Sequence, residues 1–124
     1  MKYRKIYKYE LSERFIISTR CRPHLRRDFA QWLKLSKAGW LEIREGYSWD
    51  GPSGPAVDTQ NFMRASLVHD ALYQMIQEGL LHPRFRKEAD QTMLDICKAD
   101  GMNFFRRWYC YLAVRIFGGS HAKL

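Results

Sequence analysis

The sequence predicts an α+β fold: short N-terminal strands and a helix, then a helical hairpin and a C-terminal helix. Three observations lead there. The first 44 residues hold short alternating or β-branched runs, residues 51–55 hold two glycines and two prolines, and everything from Asn61 onward repeats its apolar residues at helical spacing. Strands first and helices later is the order of an α+β domain, and 124 residues suit one domain spanning 1–124.

Tyr3 to Tyr9 alternates basic and apolar residues, and Arg14 to Thr19 is β-branched and aromatic, so the two are expected to pair as a hairpin. His24 to Ser36 spaces Leu25, Phe29, Trp32, Leu33 and Leu35 roughly as a helix would, with Gly39 as its C-cap. Trp40 to Arg44 reads as a third strand ending at Gly46. The stretch Tyr47 to Asp58 is an irregular loop, and Asp58 or Thr59 is a good N-cap for the helix that follows. That helix runs from Asn61 to about Leu80, with Phe62, Ala65, Leu72 and Ile76 on one face; Gly79 and Pro83 end it. A second spans about Arg84 to Asp100 and closes at Gly101. A third spans about Asn103 to Phe117.

A hydrophobic content of 46% argues against disorder. Three cysteines, Cys21, Cys97 and Cys110, match no zinc spacing and no Cys-x-x-Cys pair, which predicts reduced thiols. No run approaches the roughly 18 apolar residues of a membrane span. A reduced cytosolic chain, without export by a signal peptide, is therefore the expectation. A net charge of +8 points to an anionic partner: an anionic lipid or membrane surface, an acidic protein or nucleic acid. The charge is scattered, solvated faces account for most of it, and nucleic acid is the least expected of the three. The aromatic-rich segment Asn103 to Phe117 is read first as a core helix with Arg106, Arg107 and Arg115 on a solvated edge, and second as an interfacial helix on anionic lipid.

The chemistry concentrates in Leu67-Val68-His69-Asp70-Ala71-Leu72-Tyr73 and in Asp90, 21 positions after the histidine. His69 and Tyr73, four residues apart, share the apolar face of their helix, while Asp70 sits at its boundary toward the preceding loop. Asp90 lies on an apolar stripe with Met93, Leu94 and Cys97. Two antiparallel helices joined by a short turn would bring His69, Tyr73 and Asp90 together. Polar groups on apolar faces cost several kcal/mol unless they satisfy one another, so they form either an internal brace or a working site. In a working site, a histidine held by a carboxylate has a fixed tautomer and is suited to take a proton from water. Asp70, facing a loop that begins with Asp50 and Gly51, offers hard oxygen ligands of the kind a divalent cation takes, calcium ahead of zinc. Tyr47 and Trp49 either line the mouth of such a site or anchor the loop.

His69-Asp70-Ala71-Leu72-Tyr73 resembles the His-Asp-x-x-Tyr helix motif of phospholipases A2, and the step to Asp90 resembles the spacing in their compact bacterial and fungal branch. The resemblance covers roughly residues 47 to 97. It implies a phospholipase A2-like helical core and an ester hydrolase in which His69 is the base, Asp90 orients it with Tyr73, and Asp70 binds calcium with Asp50. The chain is also similar to a family of small proteins of unknown function common in tailed-phage genomes. That likeness rests on Asp50-Gly51-Pro52-Ser53-Gly54, on the His-Asp-x-Leu-Tyr helix, on Ala89-Asp90, and on Tyr111 to Gly118. It covers most of the chain and implies phage origin, a location in the host cytoplasm or the virion, and other phage structural proteins as partners. The alternative to catalysis is a virion or accessory protein in which the polar cluster is an internal brace.

Overall fold

A computed structural model describes residues 3–5, 9–49 and 60–118 of the chain. Among them are seven short strands: β1 (Tyr3–Lys5), β2 (Tyr9–Leu11), β3 (Phe15–Ser18), β4 (Arg27–Phe29), β5 (Leu33–Leu35), β6 (Trp40–Ile43) and β7 (Ser48–Trp49). Three helices follow: α1 (Gln60–Gln77), α2 (Arg86–Ala99), entered through a 3-10 turn at Pro83–Phe85, and α3 (Phe104–Phe117). The α+β class predicted from sequence is the class observed.

The strands make two antiparallel sheets, ordered β1-β2-β7 and β3-β6-β5-β4. The second has a clean inner face. Leu33 pairs with Ile43 and Leu35 with Leu41, and all four are buried. Between them Lys34 faces Glu42, an opposite-charge pair on the outer side. Strand period 2 produces that division.

Two sequence expectations are corrected here. The segment His24 to Ser36 is not a helix but the β4–β5 hairpin, and Leu25, assigned to the helix's apolar face, is exposed. The decisive pattern is Leu33-Lys34-Leu35, which alternates and finds the matching Leu41-Glu42-Ile43; cross-strand burial overrides a local helical spacing. The hairpin turn holds Ala30 at φ 48°, where the usual glycine or asparagine signal is missing. Gly39 is accordingly no helix cap. It sits at φ 93° in the β5–β6 turn, where an added Cβ would lie 2.6 Å from the Thr19 carbonyl oxygen. The second correction concerns the first hairpin. Tyr3 to Tyr9 divides between β1 and β2, which pair with each other, while Phe15–Ser18 pairs with β6.

Helix α1 is the centre of the molecule, buried on nearly every side through Met63, Leu67, Val68, Leu72 and Met75. It is antiparallel to α2: Arg64 donates to both carboxylate oxygens of Asp100, at 2.8 and 3.0 Å, while Tyr73 meets Arg86 at the other end. The β7 end of the first sheet is fixed to α1 by Trp49 Nε1 donating to Ser66 Oγ at 3.1 Å and by Tyr47 OH donating to Gln74 Oε1 at 2.6 Å. Both aromatics are buried, so they anchor this part of the chain rather than stand open at a mouth. Asn103 caps α3 by accepting from the Arg106 backbone N–H at 2.9 Å. No described helix is long and apolar enough to cross a membrane.

Candidate functional site

Asp90 projects from the apolar stripe of α2 and has no exposed surface. A carboxylate in that position needs charge-assisted partners on both oxygens. Oδ1 receives two: His69 Nε2 at 2.7 Å and Tyr73 OH at 2.6 Å, both from α1. Oδ2 receives Arg115 Nη1 at 2.8 Å from α3. The antiparallel α1–α2 pair therefore brings together His69, Tyr73 and Asp90, the three residues that sequence spacing had set within reach. The His69 and Tyr73 rings also stack in a tilted contact, with centroids 4.2 Å apart, as residues four apart on one helix face do.

Three groups that sequence reasoning missed complete the arrangement. Arg115, expected on a solvated edge, turns inward to Asp90. Arg86, the first residue of α2, donates from Nε to Tyr73 OH at 3.1 Å. Its Nη2 reaches the Val114 carbonyl at 2.9 Å and also the Arg115 carbonyl, placing a cation on the negative end of α3. Gly118 closes the cluster from above: a Cβ there would lie 2.8 Å from Tyr73 OH. Arg115 and Gly118 both fall in the Tyr111 to Gly118 segment quoted above, which was the signal available for them. The remaining aromatics of α3 also correct the sequence reading, since Phe104, Phe105, Trp108 and Tyr109 face outward rather than into the core.

Electrostatics follow from this packing. Burial alone would push the His69 imidazole down, but the carboxylates of Asp70 and Asp90 outweigh it and hold the group above its ordinary value of 6.5. Burial alone would push Asp90 up, and the donors His69, Tyr73 and Arg115 reverse that and hold it below its ordinary value. Tyr73 is held well above its usual range by burial and by its bond to Asp90. Its hydroxyl is thus a fixed donor. Because ionised Asp90 accepts at Nε2, a neutral His69 carries its proton there and keeps its lone pair on Nδ1. Nδ1 lies 3.9 Å from Asp70 Oδ1, on the side of a carboxylate that is more than a third exposed. One ring nitrogen is anchored inward and the other looks toward the rim.

Asp70 is the one sequence-expected cation ligand among the described residues; Asp50, Gly51 and the rest of their loop, including Asp58 and Thr59, lie outside them. Among the described residues no group of three or more histidine, cysteine, aspartate or glutamate side chains converges as a metal cluster would. Cys21, Cys97 and Cys110 are buried free thiols, and burial pushes Cys21 and Cys97 up to about 12, far from a reactive thiolate.

No curated protein and no solved structure matches the chain. A family model does, over residues 31–114, a span that holds His69, Asp70, Tyr73 and Asp90. It covers more than half of the sequence, and the chain belongs to the family described as Protein of unknown function (DUF1353).

Proposed function

We propose that the His69–Asp90 pair is the proton-transfer centre of an ester hydrolase similar to the phospholipases A2. The observation that carries the reading is the division of labour on one imidazole. Nε2 is held at 2.7 Å by a carboxylate with no exposed surface, while Nδ1 stands beside the half-exposed Asp70. In this reading Nδ1 takes a proton from water, the water oxygen bonds to the ester carbonyl carbon, and the resulting imidazolium is stabilised by Asp90. Collapse of the tetrahedral intermediate breaks the bond to the leaving oxygen, which receives the proton from Nδ1. Tyr73 and Arg115 are positioning residues that hold Asp90, and through it the ring.

Asp70 offers a hard oxygen donor of the type calcium binds. The proposed calcium site joins it to Asp50 and Gly51, with water and substrate completing the shell. Bound there, the cation would supply Lewis-acid polarisation of the carbonyl.

The experiment is hydrolysis of a soluble model ester and of phospholipid vesicles by the purified chain and by His69→Gln. The expected result is turnover that falls roughly 10²–10⁴-fold in the variant, with circular dichroism unchanged. Absence of turnover in the parent chain, or equal turnover in both, sinks the proposal.

A second reading is favoured by a separate observation. Arg86 ties Tyr73 to two carbonyls of α3, so the cluster links all three helices whether or not it turns over substrate. In that case the chain is a non-catalytic phage virion or accessory protein and the cluster is its brace. His69→Gln would then lower the melting temperature and change no reaction.

A further inference from the structure

A helix that packs with one face normally turns a polar face to water. α3 does not. Cys110 is buried and Tyr111 and Val114 pack against the core on one side. On the other side Phe105, Trp108, Tyr109, Leu112 and Ile116 form one stripe, about 100° wide at helical spacing, and all five are exposed, Phe105 by 83% and Ile116 by 70%. Such a contiguous apolar face marks a binding surface.

We propose that this face of α3 docks on the surface of an anionic lipid bilayer. Charge complementarity selects that occupant. Besides Arg115, which is bound to Asp90, α3 carries Arg106 and Arg107 and no acidic residue, in a chain of net charge +8. The Arg107 guanidinium lies 5.6 Å from the centre of the Phe104 ring, against the flank of the stripe. A second copy laid on the same stripe would bring like charges together with no carboxylate of this helix to offset them. An anionic bilayer accepts both features: arginines at the phosphate level, tryptophan and tyrosine at the headgroup boundary, and phenylalanine, leucine and isoleucine just below it.

This inference stands apart from the hydrolase reading, and flotation with vesicles separates the two. The chain is expected to float with phosphatidylglycerol vesicles at least tenfold more strongly than with phosphatidylcholine vesicles, and less strongly as salt is raised. Phe105→Ser/Leu112→Ser/Ile116→Ser should weaken flotation tenfold or more at an unchanged melting temperature. Phe105→Glu alone provides the same test should the triple variant be unstable. His69→Gln should float like the parent chain. The proposal is overturned if the parent chain does not float, if it floats equally on both lipids, or if the stripe variants float undiminished. It is also overturned if light scattering shows a dimer that those substitutions split, since the face then belongs to a second copy.

Discussion

Arg115 Nη1 lies 2.8 Å from Oδ2 of Asp90, so the last turns of α3 neutralise a charge that α2 carries into the core. The other oxygen is shared by His69 and Tyr73. Asp90 is thus held from two different helices.

Removing Arg115 should therefore cost stability whatever the site does. Arg115→Met leaves Oδ2 without its cation. Breaking a buried pair in this way costs about 3–5 kcal/mol, and the partial exposure of Arg115 places the expectation near about 3. Urea unfolding checks it: an unchanged midpoint would mean that Asp90 is not ionised in the folded chain.

Gly118→Ala tests the roof of the cluster. Its methyl would arrive 2.8 Å from Tyr73 OH and 3.2 Å from Cε2, and the ring is pinned below by Asp90 and Arg86. Overpacking of this kind costs about 1–3 kcal/mol. Pairing it with Tyr73→Phe, which removes the hydroxyl that clashes, should recover part of that loss in a double-mutant cycle.

The pH dependence has opposite signs for the two partners. His69 is raised when folded, so its contribution is fully present below the unfolded value of 6.5 and is lost as pH rises through the folded value. Asp90 is lowered, so its contribution is present above the ordinary 3.8 and is lost as pH falls through the folded value. The stability advantage of the parent chain over His69→Gln should accordingly shrink as pH is raised above 6.5. Hydrolysis should run the other way and rise with pH as Nδ1 loses its proton. A stability difference independent of pH between 5 and 9 would contradict the assignment of His69 as a titrating partner.

Calcium gives a test that needs no substrate. A cation bound to the native state adds about 2.7 kcal/mol of stability at one hundred times its dissociation constant, and so raises the melting temperature. The rise is expected in the parent chain and absent in Asp70→Asn. Equal melting curves with and without millimolar calcium would remove the metal from the proposal.

The cluster was legible in sequence to the extent that helical periodicity reaches. His69 and Tyr73 fall on one face four residues apart, and Asp90 falls on the stripe of the next helix, so a short turn between the helices suffices to bring them together. Arg115 was not legible, because an arginine among aromatics reads as a solvated edge until the partner's charge is known. The β4–β5 hairpin was missed for a similar reason. Leu33 and Leu35 fit a helix by local spacing, and only the distant Leu41 and Ile43 decide for a strand. α3 misled in the opposite direction, since six aromatics in one helix suggest a core element and most of them lie on the surface.

Gly101 ends the α2 segment, and Arg115 is synthesised fourteen positions later. Until α3 has emerged and docked, Asp90 lacks Arg115, one of its three partners and the one that holds Oδ2, so the α1–α2 pair has a strong reason to stay loose. The core is therefore expected to consolidate in one late step, led from the C-terminal end. A chain stopped after Gly101 should melt broadly where the full chain melts sharply.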